Sequence, residues 1–420
     1  MIRVLGMVLA GGRGTRLGVI SWKRAKPAVP FGGNYRIIDF TLSNLMYSGV
    51  RYVGVMTQYL QTSLMEHLGD GAAWGWHARQ SRLKVLHPVG LETAVNWYQG
   101  TADAVFRNLD YIRKYSPQVV LVTSGDHIYK MDYRPMIQQH LSTGAECTVA
   151  GMRVPWEDTS RFGVMQTDAQ GRVQRFLEKS PLKVSNLASM GIYCFSTDVL
   201  LNDLPKIIEQ GGQDFGKDVL PAIVPRGRVM VYEFSGFWRD VGTIPSYFTT
   251  SMDALAPKTG LDLTRWRVRT NMEVRGMYLM PPARIDHRAR VENAMISRGC
   301  LVQGEVYNSI LSPGVRVEPG AVVRDSIIMH DTVVHSHAQI NGAVIDKAVI
   351  IGSGVRIRPN YQPHDLGITV IGKEARIPEG TILKNGVVVH PETGTEAFKG
   401  HAVLEDGEDF GNHHDEKGPA

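Results

Sequence analysis

The sequence predicts an α/β protein with a mainly parallel sheet in its first part and a parallel β-helix in its second. Three observations predict it. An apolar run, Val4-Leu5-Gly6-Met7-Val8-Leu9-Ala10, stops at Gly11-Gly12-Arg13-Gly14-Thr15-Arg16-Leu17, the pattern of a buried strand ending in a ligand-sized loop. Short apolar runs then alternate with amphipathic stretches to about residue 250. After about residue 270 the aliphatic period becomes six, which neither a helix nor a half-buried strand produces.

The chain has 420 residues, 43% of them hydrophobic, which exceeds one ordinary core and implies two domains. In the first, residues 52–57, 119–123, 147–152 and 192–195 read as strands and the segments between them mostly as helices. Such a sheet is covered on both faces and binds ligands at the carboxyl ends of its strands, where the opening loop lies. In the second, Val322, Ile328, Val334 and Ile340 keep the six-residue beat, which resumes after a one-residue slip at Ile345, Ile351 and Ile357. It returns at Ile371, Ile377, Leu383 and Val389. Small and turn-forming residues separate these positions, so each reads as a rung stacked on its neighbour. The expected boundaries are a catalytic domain at 1–250, a linker at 251–275, the β-helix at 276–390 and a mobile, acidic tail at 391–420 that contains His413 and His414.

Composition narrows the function. The net charge is +5, yet no nucleic-acid-binding signature accompanies it, so small anions account for the excess better than DNA or RNA. No stretch approaches the roughly 18 uninterrupted apolar residues of a membrane span, and the N-terminal run is too short and glycine-broken for a secretory signal, so the cytoplasm is expected. Cys147, Cys194 and Cys300 lie far apart without metal-ligand spacing and read as buried apolar residues.

The chemistry begins in the first loop. Glycines bring bare N–H groups against a ligand, and Arg13, Arg16, Lys23, Arg24 and Lys26 put cations within one loop's reach, a combination suited to a polyanion. It is not a P-loop, because no Gly-Lys-Ser/Thr follows, and not a dinucleotide fingerprint, because Leu17 stands where the third glycine belongs. Asp126 follows the apolar run 119–123, so it lies at a strand's carboxyl end; Asp240 follows an aromatic pair and precedes a glycine. Hard carboxylate oxygens of this kind, together with substrate phosphates, suit Mg²⁺.

Further segments carry polar groups at strand ends or loops: Trp97-Tyr98-Gln99-Gly100-Thr101-Ala102-Asp103-Ala104, Ser124-Gly125-Asp126-His127, Phe162-Gly163-Val164, Phe176-Leu177-Glu178-Lys179 and Phe237-Trp238-Arg239-Asp240-Val241-Gly242. With Lys23-Arg24-Ala25-Lys26-Pro27-Ala28-Val29, Arg36-Ile37-Ile38-Asp39-Phe40 and Asp214-Phe215-Gly216-Lys217-Asp218, the chain resembles the sugar-nucleotide pyrophosphorylases, specifically the bacterial glucose-1-phosphate adenylyltransferases, over residues 1–390.

That resemblance implies a Rossmann-like nucleotidyltransferase domain, a left-handed β-helix of hexapeptide repeats and a homotetramer. It implies Mg²⁺-dependent conversion of ATP and glucose 1-phosphate to ADP-glucose and diphosphate, supplying glycogen synthesis. Arg16 and Lys26 would neutralise the reacting phosphates, with Asp126 and Asp240 as metal ligands. Tyr98, Gly163, Glu178, Lys179 and Ser189 would hold the sugar phosphate, Lys179 pairing its phosphate and Glu178 accepting from hydroxyls. Gln99, Gly100 and the Gly11-Gly12 backbone would face the nucleotide. Lys23, Arg24 and Arg36 exceed what two substrates need and are assigned to an allosteric site for phosphorylated or carboxylate metabolites. Two departures bear on this: Ser180-Pro181 follows Lys179 where many relatives have proline directly, and Pro30 stands where some AMP-inhibited relatives carry histidine. Two other readings remain. A pyrophosphorylase for another sugar nucleotide, such as UDP-N-acetylglucosamine, is opposed by the branch motifs; a non-catalytic regulatory subunit is opposed by the presence of Arg16, Lys26, Asp126 and Asp240.

Overall fold

The computed structural model describes residues 2–78, 81–88, 97–256, 259–362 and 367–411. The chain packs into two compact units that interleave along the sequence. The first comprises Met1–Gly12, Phe40–Gln61 and Leu68–Trp238, the second Arg13–Asp39, Thr62–His67 and Arg239–Ala420. In this packing the chain leaves the first unit just after Gly12. The expected linker at 251–275 holds the end of a helix, Ile244–Asp253, and a second short helix, Leu263–Trp266.

The first unit is built on a ten-stranded mixed sheet. Its centre is parallel: Val4–Leu9 lies between Tyr52–Met56 and Val119–Ser124, and Tyr52–Met56 pairs in turn with Ser81–Leu86. The first three of these strands are apolar at nearly every position because both faces are covered, as parallel sheets require, whereas Ser81–Leu86 keeps polar, exposed positions. Leu187–Ser196 runs antiparallel beside Val119–Ser124 and also pairs with Cys147–Arg153. One core joins Leu5, Met7, Val120, Val122, Phe195 and Phe215. From Val4–Leu9 the chain builds the sheet outward on one side through Tyr52–Met56, then returns to the other side at Val119–Ser124. The strand order reverses there, the position at which open α/β sheets offer a ligand crevice outside the carboxyl ends of their strands.

The second unit contains the parallel β-helix, three sheets of six, seven and seven short parallel strands. Its interior is three aliphatic ladders: Val302, Val317, Val334, Ile351 and Ile377; Val306, Val323, Ile340, Ile357 and Leu383; Leu311, Ile328, Ile345, Ile371 and Val389. All are buried, and the architecture agrees with the left-handed form that hexapeptide repeats build. One rung is corrected. Val323, not Val322, faces inward, because the side running to Ile328 is one residue shorter than the other two. The slip at Ile345 is that same short side recurring one coil later.

The expected mobile tail is also corrected over its described part. Val403–Leu404 pairs with Ile382–Leu383 and Asp409–Phe410 with Val388–Val389, so residues 391–411 wind another coil. Leu404 and Phe398 supply the apolar contacts that the acidic composition conceals. His413 and His414 lie outside the described residues. The three cysteines are free and buried, as expected, and burial pushes the Cys300 thiol up to about 11. No described helix is long and apolar enough to cross a membrane.

Candidate active site

The site residues fall into two groups, one in each unit. In the first unit, Gly11 and Gly12 continue directly from Val4–Leu9, and the Gly125 N–H donates to the Leu9 carbonyl at 2.9 Å. The phosphate-sized loop and the Asp126 loop thus leave adjacent strand ends, at the point where strand order reverses. Asp126 is half-buried, with 27% of its side chain exposed. Its Oδ1 accepts from Ser124 Oγ and lies 3.5 Å from His127 Nε2. The His127 ring packs edge-on against Trp238 at 5.2 Å, and Phe162 lies on the same indole at 5.3 Å.

The segment 97–103, a loop that runs into the helix Thr101–Phe106, is tied down from two directions. Gln58, which sequence reasoning missed, accepts from the Tyr98 N–H at 2.8 Å, and its side chain lies against Gly11. The Gln213 carbonyl accepts from Ala102 and Asp103 N–H at 2.9 and 3.1 Å. A Cβ on Gly100 would stand 2.2 Å from that carbonyl oxygen, so only glycine permits this approach. Thr101 Oγ1 donates to Asp214 at 2.9 Å, and Asp214 in turn accepts from the Gly216 and Lys217 N–H groups. Gln99 stays exposed, its side-chain carbonyl accepting from Gln213 at 2.8 Å.

Tyr98 differs from its expected role. The residue is 7% exposed, and its ring belongs to the core. Its hydroxyl donates to the Leu86 carbonyl at 3.4 Å and accepts from Asn108 at 2.9 Å. Those bonds anchor the loop and leave the phenol facing away from solvent.

Glu178 ends the strand Val173–Glu178 between two glycines: a Cβ on Gly163 would meet Oε2 at 2.6 Å, and one on Gly216 at 2.5 Å. This tight seat desolvates the carboxyl and raises its pKa, while the Lys179 ammonium, 3.7 Å away, opposes the shift. Lys179 is 65% exposed and sits in the left-handed region, φ 46°, a conformation that costs a non-glycine residue energy and recurs at functional sites. Ser189 is buried beside a bulge, with its hydroxyl accepting from the Gly191 N–H at 3.3 Å.

The second unit gathers the cations. Lys26 is buried, and its Nζ bonds Asp240 Oδ1 at 2.8 Å; Arg16, 63% exposed, reaches Asp240 Oδ2 at 3.7 Å. The arrangement holds two positive groups on one carboxylate, with Arg16 open to an incoming anion.

The three cations assigned to regulation diverge. Arg24 is 2% exposed and bonds both oxygens of Asp346 at 2.8 and 3.0 Å, as well as the Ile20 carbonyl. A buried, paired guanidinium cannot meet an effector, so this assignment is corrected. Asp346 lies far along the chain, and no local pattern linked it to Arg24. Arg36 is likewise buried and donates to the Ala28 carbonyl at 2.6 Å and to Ser63 Oγ at 3.2 Å. Only Lys23 is accessible, pairing with Glu392 at 2.9 Å.

Comparison with known proteins decides the family. Residues 5–256 match the nucleotidyl transferase family model, and residues 281–371 match the GlmU-like C-terminal hexapeptide model. Over 408 residues the chain is 40% identical to the glucose-1-phosphate adenylyltransferase of Acetivibrio thermocellus, covering 94% of this chain and 95% of the relative. The chain belongs to the glucose-1-phosphate adenylyltransferase family. The enzyme of that name from Desulfitobacterium hafniense strain Y51 is 40% identical over 93% of this chain and 98% of its own, and that from Bacillus mycoides 41% identical over 88% and 99%. The glucose-1-phosphate adenylyltransferases are nucleotidyltransferases.

Proposed function

We propose that this chain transfers the adenylyl group of ATP to α-D-glucose 1-phosphate. A phosphate oxygen of the sugar phosphate attacks the α-phosphorus in line, the bond from that phosphorus to the bridging oxygen breaks, and diphosphate leaves with the electron pair. The observation that carries this reading is the pairing of the Gly11-Gly12 loop and the Asp126 loop at adjacent strand ends, in a chain of this family. Two anions must be pressed together, so catalysis is positioning plus charge neutralisation. Arg16 and Lys26 supply positive charge to the phosphates. Lys179 pairs with the sugar phosphate and Glu178 accepts from hydroxyls, with Gly163 and Ser189 shaping that end and Tyr98 holding the loop above it. Gly11, Gly12, Gln99 and Gly100 face the nucleotide.

Asp126 and Asp240 would hold Mg²⁺. Their fit is chemical: each offers hard carboxylate oxygens that keep some exposure, 27% for Asp126 and 14% for Asp240. Bound there, the ion would offset charge on the triphosphate. The same reading places the enzyme in the cytoplasm as a homotetramer supplying glycogen synthesis. It would be modulated by phosphorylated or carboxylate metabolites, with Lys23 as the accessible cation.

The test is the purified chain with ATP, glucose 1-phosphate and Mg²⁺. Expected products are ADP-glucose and diphosphate in equal amounts, with turnover lost in EDTA. Preference for UTP and N-acetylglucosamine 1-phosphate would overturn the substrate, and a chain silent alone but active on addition of a relative's catalytic subunit would make it regulatory.

A further inference from the structure

The central strands of the first unit have a second end. At their amino termini lies a cleft of about 730 Å³, within the roughly 300–1,000 Å³ that small-molecule sites occupy. Its floor is apolar, formed by Leu5, Tyr52, Tyr115 and Ile137. Tyr52 and Tyr115 stack at 4.3 Å with 28° between their planes, which gives the cleft a flat aromatic wall. The strand Val4–Leu9 runs from this cleft to the Gly11-Gly12 loop, and six residues at about 3.3 Å each separate the two by roughly 20 Å. The cleft is distinct from the crevice at the carboxyl ends.

We propose that this cleft binds a small acidic ligand with a flat apolar body, an aryl or heteroaryl phosphate, sulfonate or carboxylate. Three arginines rim it, and among the described residues no carboxylate lines it. Of these, Arg134 is held in a fork by Asp132, its Nη2 at 2.6 Å, so its charge is already matched. Arg3 and Arg51 are exposed, and among the described residues neither guanidinium forms an ion pair. Two available cations beside an aromatic wall select for one acidic head and one flat ring. A polyphosphate would find too little charge, and a sugar phosphate, with no aromatic ring, would leave the apolar floor wet.

The probe is 8-anilinonaphthalene-1-sulfonate, an aryl sulfonate whose fluorescence rises in apolar surroundings, titrated into the full chain with saturating ATP present. Expected is saturable binding of one probe per chain, weakened about tenfold or more in Arg3→Glu and in Arg51→Glu. Arg134→Glu should shift it less than either, since Asp132 already occupies that guanidinium. Ile137→Trp, which fills the floor, should abolish it. All variants should keep the parent's circular dichroism and adenylyltransferase rate. Aryl phosphates and aryl carboxylates should displace the probe, and glucose 6-phosphate should not. Unchanged affinity in Arg3→Glu and Arg51→Glu, tenfold tighter probe binding when ATP is left out, equal displacement by glucose 6-phosphate, or no saturable binding because a second copy covers the cleft would each overturn the proposal.

Discussion

Glu178 and Lys179 are neighbours in the chain and live in opposite environments, one wedged between Gly163 and Gly216, the other largely in solvent. The exposed ammonium makes only a 3.7 Å contact with Glu178, so its removal disturbs little of the fold. A charge-assisted contact to one phosphate is worth about 1.5–3 kcal/mol, or about 10- to 150-fold. Lys179→Ala should therefore raise the KM for glucose 1-phosphate by that factor, with the KM for ATP nearly unchanged; steady-state kinetics with each substrate varied in turn checks it. Asp126 contrasts with both, as a partly exposed carboxylate that accepts from Ser124 and is approached by His127. Asp126→Ala should lower kcat more than about tenfold while the thermal midpoint stays within about 2 °C, because the change removes a site oxygen and no core contact. Mutant kinetics beside a melting curve separate the two effects.

At the level of elements, short segments are held by partners distant in sequence. The turn that carries Arg24 is fixed by Asp346, a β-helix residue, and both side chains are almost completely buried. Removing one member of such a pair leaves an uncompensated buried charge and typically costs about 3–5 kcal/mol. Arg24→Ala should lower stability by that amount in chemical denaturation, and the double variant Arg24→Leu with Asp346→Leu should recover much of the loss. If instead Arg24 were an effector ligand, the single variant would keep its stability and lose only activation. The helix coils show the same dependence on distant partners: Val323, Ile340 and Ile357 stack because hydrogen bonds between coils set the register, and the short sides that lead to Ile328 and Ile345 shift the inward residue by one. A strict count of six places Val322 inside, whereas the register places Val323 there.

Across the whole molecule, buried histidines make stability fall as the pH drops. His140 is 1% exposed and bonds Thr148 and Ser196, and burial holds its pKa down at about 4, below the ordinary 6.5. The unfolded chain therefore binds a proton that the folded chain refuses. The contribution is intact above pH 6.5, falls as pH drops below it, and is fully lost near pH 4, a change of about 3 kcal/mol. Urea midpoints measured from pH 7.5 to 4.5 should fall over this window, and His140→Gln should flatten the slope. His67, buried against Asp39, is also shifted down by burial and adds in the same direction.

Much of this was legible in the residues themselves. The apolar runs, the loop that ends the first strand and the six-residue period are local patterns, and local physics suffices for them: a strand covered on both faces must be apolar throughout, and a coil of three stacked sides must repeat its inward residue. The motifs around Asp126, Glu178 and Asp240 marked where polar groups gather at strand ends. What only the tertiary structure decided is the partner of each charged or polar group. Arg24 and Lys23 are one residue apart, yet Asp346 buries the first and Glu392 meets the second near solvent. Tyr98 turned inward because Leu86 and Asn108 offered its hydroxyl two bonds. Residues 391–411 joined the helix because Ile382–Leu383 and Val388–Val389 presented free strand edges to pair with. Desolvation and pairing act through space, between residues hundreds of positions apart, and a period or a motif carries no record of them.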